Sequence, residues 1–160
     1  MRAKAPSETE LARLGLLLSP AQLELFRRLQ PAEQVHALRV FQAIQTESEA
    51  PVDLLRAALL HDVGKSRVPL QIWERVLIVL LRRFVPQRAR AWGQGVPAGW
   101  RRALVVAEQH PAWGAELAAQ VGCSQLTVEL IRRHQQPTPT GLSPAQARLL
   151  ARLQVADNDY

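Results

Sequence analysis

The sequence predicts an all-α fold, built as an irregular bundle of helices in a single domain. Segment after segment places apolar residues three and four positions apart, which is the spacing of one helix face. Several segments begin with a helix-capping sequence, and neither a run of alternating β-branched residues nor an Asn-Gly hairpin turn is present. Apolar residues make up 48% of the 160 positions, enough for one core. We expect this domain over residues 8–160, after a flexible tail at residues 1–7.

The first part of the chain predicts four helices. Residues 8–18 form a short apolar-rich helix. Residues 19–22 read Ser-Pro-Ala-Gln, a helix start in which serine caps, proline occupies the first helical position and glutamine completes the capping box. Pro31 opens the third helix, and the fourth runs from about Pro51 to the pair His61-Asp62.

The middle of the chain predicts a central helix and then a loop. Gly64 is expected to end the fourth helix because glycine can adopt the left-handed conformation. After Pro69, residues 72–81 are apolar almost all round, as expected of a buried central helix that contains Trp73 as a core residue. Residues 84–99 are rich in glycine, proline and arginine, which predicts a loop or a short element.

The last part predicts four more helices. Residues 100–109 form one and residues 113–121 another, because Pro111 favours a new helix start between them. Ser124 is expected to cap the next. The last two helices are placed at residues 126–134 and 145–155.

Composition and charge exclude several classes of protein. The formal charge is +6 and comes almost wholly from arginine, dispersed among acidic residues without a recognition motif, so nucleic acid is not an expected partner. The single Cys123 excludes an internal disulfide framework and a cysteine-based zinc site. The apolar run at residues 76–81 is far shorter than the roughly 20 residues of a membrane span. No secretory signal is convincing, so we expect a cytoplasmic protein without a membrane partner.

His61-Asp62 is the strongest candidate for a functional site. Imidazole and carboxylate together suit a divalent metal ion. Neighbours on a helix point about 100° apart, so the two side chains can converge on an ion that lies beyond the helix end. The pair alone is weak evidence, because a histidine at a helix end is often only a partner of the helix dipole.

The wider pattern resembles the HD-domain metal-dependent phosphohydrolases, a helical superfamily named after this His-Asp pair. His36 stands on an earlier predicted helix, followed by Arg39 as is common in the family, and Asp157 supplies the expected distal aspartate. The resemblance implies that His36, His61, Asp62 and Asp157 bind one divalent ion. It also implies that Asp62 bridges to a second ion or holds the attacking water.

His110 and His134 extend the resemblance. Residues 109–115 resemble the His-Pro-x-x-Gly segment of the HD-GYP phosphodiesterases, and residues 131–135 take the place of their His-His-Glu. Both histidines are therefore implied as ligands of a second metal, although a lone histidine at a helix end is more often a cap. Arg133 and Gln135 depart from the pattern, and no Asp-Gly-x-Gly-Tyr-Pro follows. The chain is not identified as a true HD-GYP enzyme.

The resemblance implies a phosphatase or phosphodiesterase that acts on a phosphate-containing small molecule, nucleotide-derived in our interpretation. One or two ions of Mn, Fe, Mg, Co, Ni or Zn would activate water, with Asp62 and Lys65 as catalytic residues. Lys65, Arg39 and Arg133 would contact the substrate phosphate. Trp92 and Trp100 are candidates for a pocket lid. The alternative is a catalytically silent HD module for ligand sensing or protein docking. The oligomeric state is left open.

Overall fold

The computed structural model describes residues 5–47, 49–137 and 140–159, and regular structure in these ranges is helical, without strands. The helices are α1 Glu8–Leu14, α2 Pro20–Arg27, α3 Pro31–Glu47, α4 Val52–Leu60, α5 Ile72–Phe84, α6 Pro86–Trp92, α7 Arg102–Gln120, α8 Gln125–Arg133 and α9 Pro144–Asp159. Short 3-10 helices occupy Val63–Arg67 and Gly99–Arg101. The predicted all-α class is confirmed for this part of the chain.

Serine caps begin several of these helices, as their sequences predict. Ser19 accepts a hydrogen bond from the backbone N–H of Gln22, whose side chain accepts one from Ser19 N–H in return. The Ser124 side chain caps α8 by accepting a hydrogen bond from Thr127 N–H, without a return bond. Ser7 caps α1, which ends at Leu14, four residues before its predicted end. Residues 1–4 of the predicted tail lie outside the described residues.

The core lies around α4, which packs against α3, α8 and α9. Five of its side chains are buried: Leu54, Ala57, Ala58, Leu59 and Leu60. Phe26 of α2 and Ile44 of α3 are among the largest fully buried side chains around it. Because His61 and Asp62 directly follow this central helix, they enter the interior of the bundle.

The prediction that residues 72–81 form a central buried helix is wrong. α5 lies at the surface, and Glu74 is its only buried residue among those described. Trp73, expected in the core, is 61% exposed. An apolar sequence indicates that burial of the helix would be favourable, but it does not show whether another element packs on that helix. No helix in the described ranges is long and apolar enough to cross a membrane.

The expected break at Pro111 is also wrong, because α7 continues through this residue from Arg102 to Gln120. Proline has no N–H, so it leaves the carbonyl four residues earlier without its helical donor. That carbonyl belongs to Ala107, and Arg82 of α5 donates to it at 2.8 Å. A side chain from another helix thus replaces the missing bond.

Part of the predicted loop at residues 84–99 is helical. Pro86–Trp92 forms α6, which agrees with the expectation of a loop or a short element.

Candidate metal centre

Five parts of the fold bring six predicted side chains together. His61 and Asp62 follow α4, His36 comes from α3, His110 from α7, and Asp157 from the last turn of α9. The sixth is His134, directly after α8. His61, Asp62, His110 and His134 are buried, whereas His36 and Asp157 are half-buried at the edge of the cluster.

The six side chains form two groups of three. In the first group, Asp157 Oδ1 lies 2.9 Å from His36 Nε2 and 3.2 Å from His61 Nε2. The second group contains Asp62, His110 and His134. Within each group the candidate ligand atoms lie within 4.8 Å of one another. The resemblance placed Asp62 in one set with His36, His61 and Asp157, with a bridge to a second ion as one of its roles. The structure instead groups its carboxylate with His110 and His134.

Asp62 lies between the two groups. Its Oδ1 is 3.2 Å from His110 Nε2 and 4.0 Å from His134 Nε2, while its Oδ2 is 3.6 Å from His61 Nε2. One carboxylate therefore faces both groups, one oxygen to each. This position fits the bridging role that the family resemblance implies.

Backbone hydrogen bonds fix the orientation of the three buried histidines. The Nδ1 atoms of His61, His110 and His134 lie 2.7–3.0 Å from carbonyl oxygens of their own helices, those of Ala58, Val106 and Ile131. A carbonyl only accepts, so each Nδ1 carries a proton, and in the neutral form of each ring the lone pair of Nε2 points inward. This is the arrangement of metal-ligating histidines, whose other nitrogen donates to a backbone carbonyl or carboxylate.

The inward lone pairs meet other acceptors. His61 Nε2 is buried without a hydrogen-bond donor among the described residues, and its close neighbour, the carboxylate of Asp157, cannot donate. His110 Nε2 lies 3.3 Å from His134 Nε2, again nitrogen facing nitrogen. Buried acceptors without a donor are costly. A divalent cation in each group would satisfy these acceptors, so the residues present fit metal ions.

The electrostatics of the cluster favour the metal-binding forms of Asp62, His110 and His134, whereas the two nearby carboxylates favour the protonated ring of His61. Burial opposes ionisation of Asp62, but Lys65 and His61 outweigh it and hold the pKa of Asp62 well below its ordinary value. Burial lowers the pKa of His110, and it lowers that of His134 to about 3, helped by the neighbouring histidines. Burial also acts on His61, yet the carboxylates of Asp62 and Asp157 prevail and raise its pKa.

Close packing of the backbone around Gly64 holds Asp62 against α7. A Cβ atom at Gly64 would lie 2.0 Å from the carbonyl oxygen of His110 and 2.7 Å from the backbone nitrogen of Gly114. Gly64 does not have a positive φ, so its expected left-handed conformation is wrong. The glycine is required because the 3-10 helix Val63–Arg67 touches the α7 backbone beside His110.

The predicted phosphate contacts have different surroundings. Lys65 Nζ lies 2.6 Å from Asp62 Oδ2, at the edge of the cluster. Arg133 is bound to the carboxylate of Glu129 and, at 2.6 Å, to the carbonyl oxygen of Thr140. Arg39 is exposed on α3. Their roles as substrate contacts stay predictions.

A cavity of about 900 Å³ opens beside the cluster, and His134 and Asp157 form part of its lining. Arg82, Arg90 and Arg132 also line it, together with the side-chain amides of Gln135, Gln136, Gln154 and Asn158. Sequence reasoning missed Arg82 and Arg90. The sequence signal that could have indicated them is the high density of arginine in residues 82–102. The sequence does not show, however, that this segment lies near the clustered histidines in the fold. Trp92 and Trp100, the predicted lid residues, pack against each other with ring centroids 5.1 Å apart.

The described residues form an all-helical bundle around a buried cluster of histidines and aspartates that could hold metal ions. The HD domain family model matches residues 24–159, and the chain belongs to the HD domain family. The resemblance drawn from His36, His61-Asp62 and Asp157 is thereby confirmed at the level of the family. Comparisons with curated proteins and with solved structures give no match. HD domains bind divalent metals, and the buried cluster fits such a site.

Proposed function

We propose that this HD domain is a metal-dependent phosphohydrolase that cleaves a phosphomonoester or phosphodiester. One observation carries the proposal: His61 turns a buried, unpartnered Nε2 toward the carboxylate of Asp157, an arrangement of two acceptors that a cation would stabilise. A purely structural histidine in the core would instead be expected to find a donor.

The two groups define where ions would be held. His36, His61 and Asp157 would hold one, His110 and His134 another, and Asp62 would face both. A divalent ion supplies Lewis acidity, which lowers the pKa of water and polarises a phosphoryl oxygen. The identity of the metal, among Mn, Fe, Mg, Co, Ni and Zn, is not specified by this set of nitrogen and oxygen ligands.

The protein groups around the cluster have complementary roles. The Asp62 carboxylate would orient the attacking water by accepting its hydrogen bond. Lys65, whose ammonium contacts Asp62, would stabilise negative charge on the phosphoryl group in the transition state. Arg39 is retained as a further candidate for substrate contact on the family resemblance. Arg133 is retained because it directly precedes His134 and a guanidinium can bind phosphate through two hydrogen bonds.

The cavity supports an anionic substrate of nucleotide size. Its volume of about 900 Å³ is within the usual range of small-molecule sites. Arg82, Arg90 and Arg132 in its lining could bind phosphate oxygens by charge-assisted hydrogen bonds. The amide side chains beside them offer both donors and acceptors, which suits a base or a sugar.

Metal reconstitution with a substrate screen tests the proposal. Protein stripped with a chelator is reloaded singly with each of the six metals and offered nucleotides, cyclic nucleotides and generic phosphoesters. We expect turnover by at least one reloaded form, lost again on chelation. The silent-module alternative predicts metal or ligand binding without phosphate release. Absence of turnover by every metal-loaded form across the screen would contradict the hydrolase proposal.

The number of ions is tested by His110→Ala. If each group holds one ion, chelator-free wild-type protein should contain two equivalents by elemental analysis, and the variant should contain one. Glu116→Gln, an exposed substitution on the same helix, is the matched control and should leave two. Unchanged metal content and activity in His110→Ala would show that His110 and His134 have a structural role and do not bind a second ion.

A further inference from the structure

α5 turns a large apolar surface away from the protein. Six side chains along the helix at spacings of one, three and four residues are between 48% and 79% exposed, and we call them the α5 outer face: Ile72, Trp73, Val76, Val79, Leu80 and Phe84. The spacing places them on one side of the helix. Contiguous exposed surfaces of this kind on soluble proteins mark interaction sites.

The fold does not use this face, because α5 is attached through its opposite side. Glu74 is buried there and ion-paired with Arg102. Ile78 packs into a small apolar cluster with Leu70, Ala103 and Val106. The contact of Arg82 with α7 is on the same inner side. The described residues therefore leave the outer face uncovered.

The charge around this face is strongly one-sided. Residues 72–102 contain seven arginines and a single acidic residue, Glu74. The remaining chain holds 13 basic and 13 acidic residues, so this segment accounts for the whole net charge of +6. The expectation that the arginines are dispersed among acidic residues is wrong for this segment. Three of the seven arginines are ion-paired with glutamates: Arg75, Arg82 and Arg102. Arg83 and Arg88 are exposed and make no ion pair with any described residue, so their charge is available to an outside partner.

We propose that the α5 outer face docks on the surface of a membrane that contains anionic lipids. Arginine beside an exposed stripe of tryptophan, phenylalanine and aliphatic residues is the composition of helices that lie in the lipid interface. The aromatic rings and aliphatic chains enter the region below the headgroups, while arginine pairs with lipid phosphate. The expectation of no membrane partner depended on the lack of a spanning segment and did not consider docking.

Charge distinguishes lipid from the two other obvious occupants. A second copy of the chain would bring two segments of the same strong positive charge together, which is repulsive. Nucleic acid would match the arginines but would leave the aliphatic stripe of Val76, Val79 and Leu80 without a partner. An anionic lipid surface matches both properties. α5 has 13 residues and a length of about 20 Å, so it can lie flat on such a surface along its whole outer face.

Sedimentation with vesicles tests this proposal independently of catalysis. Full-length protein is mixed with vesicles of phosphatidylcholine alone or with one third phosphatidylglycerol. We expect binding only to the anionic vesicles, weakened by salt, with a blue shift of tryptophan fluorescence that Trp73→Phe removes. Val79→Asp with Leu80→Asp should weaken binding at least tenfold, and Arg83→Glu with Arg88→Glu should weaken it several-fold.

The matched control for Val79→Asp alone is Leu16→Asp, which likewise places one carboxylate at an exposed aliphatic side chain, here 91% exposed and outside α5, and should bind like wild type. Circular dichroism checks that each variant is folded. The proposal is overturned if wild type ignores anionic vesicles, if phosphatidylcholine alone binds equally well, or if Leu16→Asp loses binding to the same extent. A dimer in ultracentrifugation that Val79→Asp dissociates, without vesicle binding, would assign the face to a second copy instead.

Discussion

Asp62→Ala should abolish phosphoester hydrolysis, with a loss of at least about 1000-fold in kcat. Asp62 is the only carboxylate among the six clustered side chains that faces both groups, so its removal deprives both of a negative ligand. It also leaves the ammonium of Lys65 without its partner next to a cationic site. Phosphate release with the preferred metal measures turnover, and elemental analysis measures metal content.

Lys65→Ala is the contrasting variant. It removes a positive charge next to the cluster but none of the six candidate ligands, so metal content should persist while kcat falls by roughly 10²–10³-fold. Asp62→Asn keeps the shape of the side chain and separates a charge effect from a packing defect. Full activity in folded Asp62→Ala protein would refute the proposed mechanism, because it would show that the Asp62 carboxylate is needed neither to hold a metal ion nor to orient the attacking water.

Among the eight possible Gly→Ala substitutions in this chain, Gly64→Ala should cause the largest loss of stability. The new Cβ would overlap the carbonyl oxygen of His110 and approach the backbone of Gly114, and neither is a flexible side chain that can rotate away. Overpacking usually costs about 1–3 kcal/mol, and a backbone clash places this substitution at or above the upper limit. We expect a fall in Tm of about 10 °C in metal-free protein.

Gly15→Ala provides the matched control for that measurement. Gly15 ends α1 with an ordinary helical φ, and the closest contact of a Cβ there would be the carbonyl oxygen of Ala12, at 3.2 Å. Its Tm should change by no more than about 2 °C. Metal binding should also weaken in Gly64→Ala, because the clash separates Asp62 from His110. Equal thermal stability of the two variants would show that the 3-10 helix and α7 are not held as close as described.

Local signals in the sequence predicted much of the fold. Ser19 and Ser124 predict helix starts because their hydroxyls accept hydrogen bonds from backbone N–H groups three residues later. Such a cap depends only on residues that are close in sequence. His36, His61-Asp62 and Asp157 were recognisable as a set because a shared chemistry constrains their residue types. The structure brings them together across 121 residues of sequence between His36 and Asp157.

The errors concern properties that depend on distant partners. Trp73 was assigned to the core because its neighbours are apolar, but burial depends on whether another element covers the helix. Pro111 was read as a helix boundary because the donor that replaces its missing N–H comes from Arg82, remote in sequence. Gly64 was explained by its conformational freedom, whereas the cause is the backbone of α7. The approach of Arg82 and Arg90 to the cavity is equally non-local.

The proline within α7 has a consequence for how substitutions in this protein will combine. Pro111 follows His110, and the carbonyl that it frees is the anchor of Arg82, which lines the cavity. The carbonyl of Ala107 therefore connects the helical turn that carries His110, a candidate metal ligand, to Arg82 in the lining of the cavity. Pro111→Ala would restore the helical N–H, compete with the Arg82 guanidinium and release it toward the cavity. Substitutions at Pro111 and Arg82 should thus be strongly non-additive, and evolution is expected to change them together.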